Sequence, residues 1–247
     1  MSIGILAKPA GCKTQNSKFI EAESFSIGYP DETKIHGDLI TSIKKRSKTV
    51  LSDDEFLERV TELERQIKDE PLENILAIDE CGNVFMHYIG DIDSVKMDTR
   101  YWNAAKVVTH NHPNGSMLSG TDISHLCDTD CQEIRAVTRD LWHSVKRGEN
   151  WENLDAETVK EEVNDLLKIV EVEAIKYAGT LNNVGIGHND KTKKLMPTKP
   201  EGMTEVEFEP IRKQAITDAI LLYRIYSARG IKKYGEDHNF IYDGGEL

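Results

Sequence analysis

Hydrophobic residues recur at intervals of three and four after Ser52, and this spacing predicts an amphipathic helix. Ser52 followed by a glutamate three residues later matches a capping box, which marks the first turn of the helix. Pro71 is expected to end it, because the residue before a proline disfavours helical geometry. The face predicted to be buried consists of Phe56, Val60, Leu63 and Ile67.

Short apolar runs between turn residues predict strands in the next part of the chain. Residues 72–79 and 84–89 flank the turn Glu80–Asn83 and predict a β-hairpin. The later elements predicted are a short strand at 95–97, a short helix capped by Asp98 or Thr99, a buried strand at 106–109, a helix from Asp122 to about Cys131, and a hairpin of strands 134–138 and 141–145. This alternation predicts an α/β sandwich with a mixed sheet flanked by helices.

Longer amphipathic stretches follow. One helix is predicted over 156–177, and a second from about Thr204 to Arg229-Gly230-Ile231, where glycine is expected to end it. The sequence therefore predicts four segments. These are an extended or partly ordered arm at 1–50, a core at 51–147, a helical region at 148–235 with a linker near 179–202, and a loose tail at 236–247.

The polar stretch after the buried strand carries the candidate chemistry. His110 and His112 stand two residues apart in extended chain, so their imidazoles should project to the same side. Asp122 follows a glycine-containing loop, which can return a carboxylate to the same place. Two histidine nitrogens and one carboxylate occupy three corners of a tetrahedral zinc site and leave the fourth for water, the arrangement of catalytic sites.

The segment from Thr109 to Asp122 resembles the motif of the JAMM (JAB/MPN-plus) metalloproteases, His-x-His-Pro, a short spacer and Ser-x-x-Asp. Its His-Asn-His-Pro form is most similar to the RadC-like branch and to JAB domains of phage and polymorphic-toxin proteins. Five residues separate Pro113 from Ser119, where six is the commonest family spacing. The resemblance covers about 52–146 and implies a JAMM (cytidine-deaminase-like) sandwich that binds Zn²⁺ through His110, His112 and Asp122.

The resemblance also implies a catalytic carboxylate on an early strand. Glu73, at the head of the first predicted hairpin, fits that position best, and Glu70 and Glu80 stay open as alternatives. The carboxylate would take a proton from zinc-bound water and pass it to the leaving nitrogen. Ser119 would donate a hydrogen bond to the oxyanion, but it also precedes a helix and could be its N-cap.

Net charge and hydropathy limit the classes of partner and the cellular location that the sequence is compatible with. The formal net charge is −12, which argues against a nucleic-acid partner, because nucleic-acid binders usually carry a basic face. The basic runs at 44–48 and 191–199 are interpreted as solvated loops or tails. No apolar run is long enough to span a bilayer, and the N-terminus lacks the features of a signal peptide. We therefore expect no membrane and a cytoplasmic location, inside the host cell for a phage-encoded protein.

These features predict a zinc-dependent hydrolase that cuts peptide or isopeptide bonds in a protein or peptide, such as a ubiquitin-like conjugate or a phage protein. Two alternatives stay open. One is a RadC-like accessory protein associated with DNA, which salt-dependent retention on DNA would support. The other is a phage structural or interaction protein with a vestigial site, which absence of bound zinc would favour. A toxin-like effector domain is a third, weaker interpretation.

Overall fold

The computed structural model describes residues 47–92, 94–149, 151, 154–189 and 194–247. The predicted N-terminal arm therefore lies outside the described residues, apart from 47–50. The helices and strands are α1 (Asp53–Ile67), β1 (Asn74–Ile78), β2 (Val84–Ile89), α2 (Thr99–Ala104), β3 (Val107–Asn111), α3 (Gly120–Asp128), β4 (Glu133–Val137), β5 (Leu141–Arg147), α4 (Ala156–Asn182), β6 (Gly185–His188), β7 (Leu195–Thr198), α5 (Glu205–His238) and β8 (Phe240–Glu246).

The chain forms two compact units. The first contains the described residues up to Gly115 together with 129–144 and 245–247. The second contains 116–128 and 145–244, so α3 belongs to it and packs there on α4.

A six-stranded sheet has the order β2-β1-β3-β4-β5-β8. Strand β1 runs antiparallel to β2 and to β3, whereas β3 runs parallel to β4. The predicted α/β class with a mixed sheet and flanking helices is confirmed, and so is the hairpin of β1 and β2. Strand β8 arises from residues that were predicted to form a tail.

The core of the first unit forms where α1 covers the sheet. All four residues of the predicted apolar face of α1 are buried against side chains of β1 to β4. Burying an aliphatic or aromatic side chain of this size contributes about 1.5–3 kcal/mol. The predicted capping box is also present: Ser52 N–H donates to Glu55 Oε2 over 2.9 Å, and Glu55 N–H donates to Ser52 Oγ.

A charged network crosses this core. Arg135 on β4 donates from Nε and Nη2 to the two carboxylate oxygens of Glu64 on α1, over 2.6 and 3.0 Å. Thr109 on β3 donates to the same carboxylate over 2.8 Å. Burial lowers the pKa of Arg135, but the hydrogen bonds and negative charges of Glu64 and, to a smaller extent, of Glu133 outweigh it and raise the pKa above its usual value. The network therefore joins α1, β3 and β4 through one buried ion pair.

Three further sequence expectations differ from the structure. Residues 95–97 are irregular rather than a strand, because the chain turns back at Asp91, whose N–H donates to the Ser94 carbonyl. The predicted linker at 179–202 contains the end of α4 and the antiparallel pair β6 and β7. Helix α5 continues past Gly230 to His238.

Packing against α4 explains why Gly230 does not end α5. A Cβ atom added at Gly230 would lie 3.0 Å from Leu166 Cδ2, so glycine here permits a close approach of two helices. Ile231, the next residue, is buried, and its contacts offset the roughly 1 kcal/mol that a glycine costs inside a helix. The helix ends instead at Asn239, which adopts a left-handed conformation with φ of 60°.

Within the described part of the chain, every helix is too short or too polar to cross a lipid bilayer.

Replacing Glu64 by alanine should lower the free energy of unfolding by about 3 kcal/mol, because Nε and Nη2 of the buried Arg135 guanidinium would lose their acceptors and only the Nη1 contact with Glu133 would be kept. Urea unfolding measures the change. Arg139→Ala is a matched control, since the Arg139–Asp69 pair lies on the surface and its loss should cost less than about 1 kcal/mol. Equal effects of the two substitutions would contradict this assignment.

Candidate metal centre

The end of strand β3 places two histidines side by side. His110 pairs with Ile75 of β1 on one side and with Ala136 of β4 on the other. His112 continues the extended chain, and its N–H donates to the Val137 carbonyl over 2.8 Å. The two ring centroids lie 4.5 Å apart with an interplanar angle of 74°. The prediction that both imidazoles project to one side is therefore confirmed.

Glu73 lies next to the histidines, immediately before β1. Its N–H donates to the Asp91 carbonyl and its own carbonyl accepts from Gly90 N–H, both over 2.8 Å. These bonds extend the β1–β2 hairpin by one residue and fix the backbone of Glu73. Its carboxylate is buried, and Oε1 lies 3.4 Å from His112 Nε2 and 3.7 Å from His110 Nε2.

The spacing of these three groups suits a shared cation. Atoms that bind one zinc ion tetrahedrally at about 2.1 Å lie about 3.4 Å from each other. The distances from Glu73 Oε1 to the two imidazole nitrogens match this value and exceed those of ordinary hydrogen bonds. Glu73, His110 and His112 form the one group among the described residues whose ligand atoms all lie within 4.8 Å of each other. Two histidines and a glutamate are a known ligand set of catalytic zinc.

A β-turn follows His112. Gly115 N–H donates to the His112 carbonyl over 2.9 Å, and Pro113 occupies the second position of this turn, where its fixed φ is favourable. Gly115 has a φ of 76°, which only glycine adopts without strain. The expected roles of Pro113 and Gly115 in shaping the loop are confirmed.

Ser119 and Asp122 lie in the second unit and bond to each other. Asp122 Oδ2 accepts hydrogen bonds from the N–H and the hydroxyl of Ser119, each over 2.7 Å, and Asp122 N–H donates to Ser119 Oγ. This reciprocal pattern is a capping box at the start of α3, so the N-cap interpretation of Ser119 has direct support. The assignments of Asp122 as a zinc ligand and of Ser119 as an oxyanion donor stay predictions.

The two alternative carboxylates lie outside this group. Glu80 is in the turn at the far end of β1, where its carbonyl accepts from Leu51 N–H. Glu70 contributes a backbone carbonyl, which accepts from the Asn111 amide. Of the three candidate carboxylates, Glu73 is therefore the one that groups with His110 and His112.

Two buried polar contacts near the centre were missed at the sequence level. Asn111, between the histidines, uses its side chain to bind the segment around Glu73. Asn74, next to Glu73, accepts at Oδ1 from His87 Nε2 over 2.8 Å. The alternation of β2 could have suggested that His87 is buried, but nothing in the sequence names its partner.

Comparison with known proteins gives no relative, since no family model, curated protein or solved structure matches the chain.

Burial lowers the pKa of His87 to about 4, so this side chain stays neutral in the folded protein at a pH where the unfolded chain protonates it. Its contribution to stability is therefore complete above pH 6.5 and is lost as the pH falls from about 6.5 to 4. The loss amounts to at most about 3 kcal/mol. Urea unfolding at several pH values should show a shallower dependence in His87→Gln than in the wild type. Parallel curves would contradict the assignment.

Proposed function

We propose that this protein is a zinc-dependent hydrolase of peptide or isopeptide bonds, of the JAMM type that the His-Asn-His-Pro sequence resembles. The observation that supports it most is the buried position of the Glu73 carboxylate, whose Oε1 lies 3.4 Å from His112 Nε2 and 3.7 Å from His110 Nε2, so that it is beside any ion that the two imidazoles hold. Three groups that prefer water or a charged partner have been gathered at one end of the sheet. Such an arrangement is costly for stability, and a bound divalent cation offsets that cost.

His110 and His112 would hold the ion through their Nε2 atoms, the atoms that face Glu73. When bound, zinc lowers the pKa of a coordinated water towards neutrality and polarises a carbonyl oxygen. The Glu73 carboxylate accepts the proton of the attacking water at Oε1 and delivers it to the departing nitrogen. Its buried position keeps bulk water from competing for that proton.

Asp122 is proposed as the third ligand on the strength of the sequence motif. The hydrogen bonds that Asp122 accepts from Ser119 are compatible with this role, because a carboxylate that binds a metal is commonly oriented by a hydrogen-bond donor. In this arrangement Ser119 orients the Asp122 carboxylate. To donate a hydrogen bond to an oxyanion, its hydroxyl must first rotate away from Asp122.

Metal analysis of the purified protein tests the centre. The wild type should retain about one zinc per chain after dialysis, whereas His112→Ala should lose it, with an affinity lower by at least about 100-fold. His188→Ala is the matched control, since His188 lies on β6 beside Glu171 and should not alter zinc content. A His112→Ala protein that keeps its zinc would overturn the ligand assignment.

Glu73→Gln tests the chemistry separately from metal binding. As the proton acceptor, Glu73 can be replaced without loss of zinc, and cleavage should fall by about 10²–10⁴-fold. New N-termini in a proteome-derived peptide library, together with ε-lysine-linked dipeptides, measure cleavage by mass spectrometry. Asp122→Asn should instead lower zinc affinity. Loss of zinc in Glu73→Gln, with zinc retained in Asp122→Asn, would make Glu73 the third ligand.

A further inference from the structure

The side chain of Asn111 uses all three of its bonds on one short segment of backbone. Its amide nitrogen donates to the carbonyls of Glu70 and Leu72, each over 3.1 Å. Its oxygen accepts from the N–H of Asn74 over 2.6 Å. Asn111 is fully buried at the end of β3, between the two histidines of the candidate metal centre.

These bonds enclose Glu73 on both sides. Leu72 precedes Glu73 and Asn74 follows it, so the peptide groups that set the direction of the Glu73 side chain are both held by Asn111. The same strand end therefore carries His110 and His112 and also holds the backbone that presents Glu73 to them. A shift of β3 would move all three groups together, and their spacing would be kept.

Asparagine is the residue type whose side chain can form all the hydrogen bonds that this backbone segment offers. Two carbonyls need donors and one N–H needs an acceptor, and a primary amide supplies that combination within a single planar group. Aspartate has the same shape but would place oxygen against the two carbonyls. Glutamine is one methylene longer and would not fit a position with 0% exposure without displacing its neighbours.

We propose that Asn111 is the positioning residue of the centre, which holds the Glu73 carboxylate at its working distance from His110 and His112. The inference rests on the proposed function, in which Glu73 accepts the proton. Asn111 itself touches neither the ion nor the substrate in this account. Its contribution is to restrict the backbone conformations of 70–74, so that Glu73 is preorganised rather than mobile.

Hydrogen–deuterium exchange of the metal-free protein measures this restriction directly. In Asn111→Ala the peptide covering 70–75 should exchange at least about tenfold faster, because the N–H of Asn74 loses its acceptor and the loop opens more often. Asn111→Asp keeps the volume of the side chain and the acceptor for Asn74 N–H, but it places an oxygen against the Glu70 and Leu72 carbonyls and should therefore also speed exchange of this peptide. Residues 76–78 of β1, strand β2 and helix α1 should keep wild-type exchange in both variants.

Asn83→Ala is a matched control. Asn83 is a buried asparagine whose oxygen accepts from Ser47 N–H and whose amide donates to the Ser47 carbonyl and to Asp79 Oδ2. It makes the same kind of contacts at the other end of the hairpin. Its loss should speed exchange near 47 and 79–83 and leave 70–75 unchanged.

A double-mutant comparison then tests whether the positioning of Glu73 by Asn111 affects cleavage. Zinc-loaded Asn111→Ala should keep its metal and lose cleavage by at least about tenfold, while Asn83→Ala cleaves like the wild type. In a Glu73→Gln background, Asn111→Ala should cause no further loss, because it acts only through Glu73. A further loss of the same size in that background would overturn the proposal.

The two proposals fail in different ways. Wild-type exchange at 70–75 in both Asn111 variants would refute the positioning role, whatever the protein does with zinc. A wild-type protein that takes up no zinc and cleaves nothing would refute the hydrolase. It would also remove the catalytic part of the Asn111 proposal, even if 70–75 exchanged faster in the variants.

Discussion

The pairing of β3 between β1 and β4 is the constraint on which the centre depends. It aligns His110 with Ile75, two residues after Glu73, and so brings a glutamate and two histidines from distant parts of the sequence to one end of the sheet. Side chains alternate along a strand, so a slip of one residue would turn both imidazoles to the opposite face. The register of β3 thus decides whether a metal centre can exist.

Buried polar contacts surround that strand and help to keep its register. Thr109 and Asn111 flank His110, and their side chains bond to the Glu64 carboxylate and to the backbone around Glu73. Burying such groups is unfavourable unless each finds a partner, so they specify a single arrangement more strongly than aliphatic side chains would. Stability and preorganisation of the centre therefore come from the same short segment.

The sequence predicted most of the helices and strands, but few of the buried polar contacts that join them. Periodicity and capping residues identified α1 and the first hairpin, because these signals are local. Spacing along a strand likewise identified the histidine pair. Glu64 interrupts the apolar face of α1, which could have indicated a buried partner, but that partner, Arg135, lies far along the chain. Strand β8 and the continuation of α5 past Gly230 depend on tertiary packing, which local patterns do not contain.

In the proposed centre, two imidazoles at the end of β3 share one zinc ion. X-ray absorption at the zinc edge of the loaded wild-type protein measures this most directly. We expect a shell of nitrogen and oxygen atoms at about 2.0–2.1 Å, with outer-shell scattering that corresponds to two imidazole rings. A spectrum with oxygen scatterers alone, or with the imidazole features unchanged when His110 and His112 are both replaced by alanine, would contradict the account.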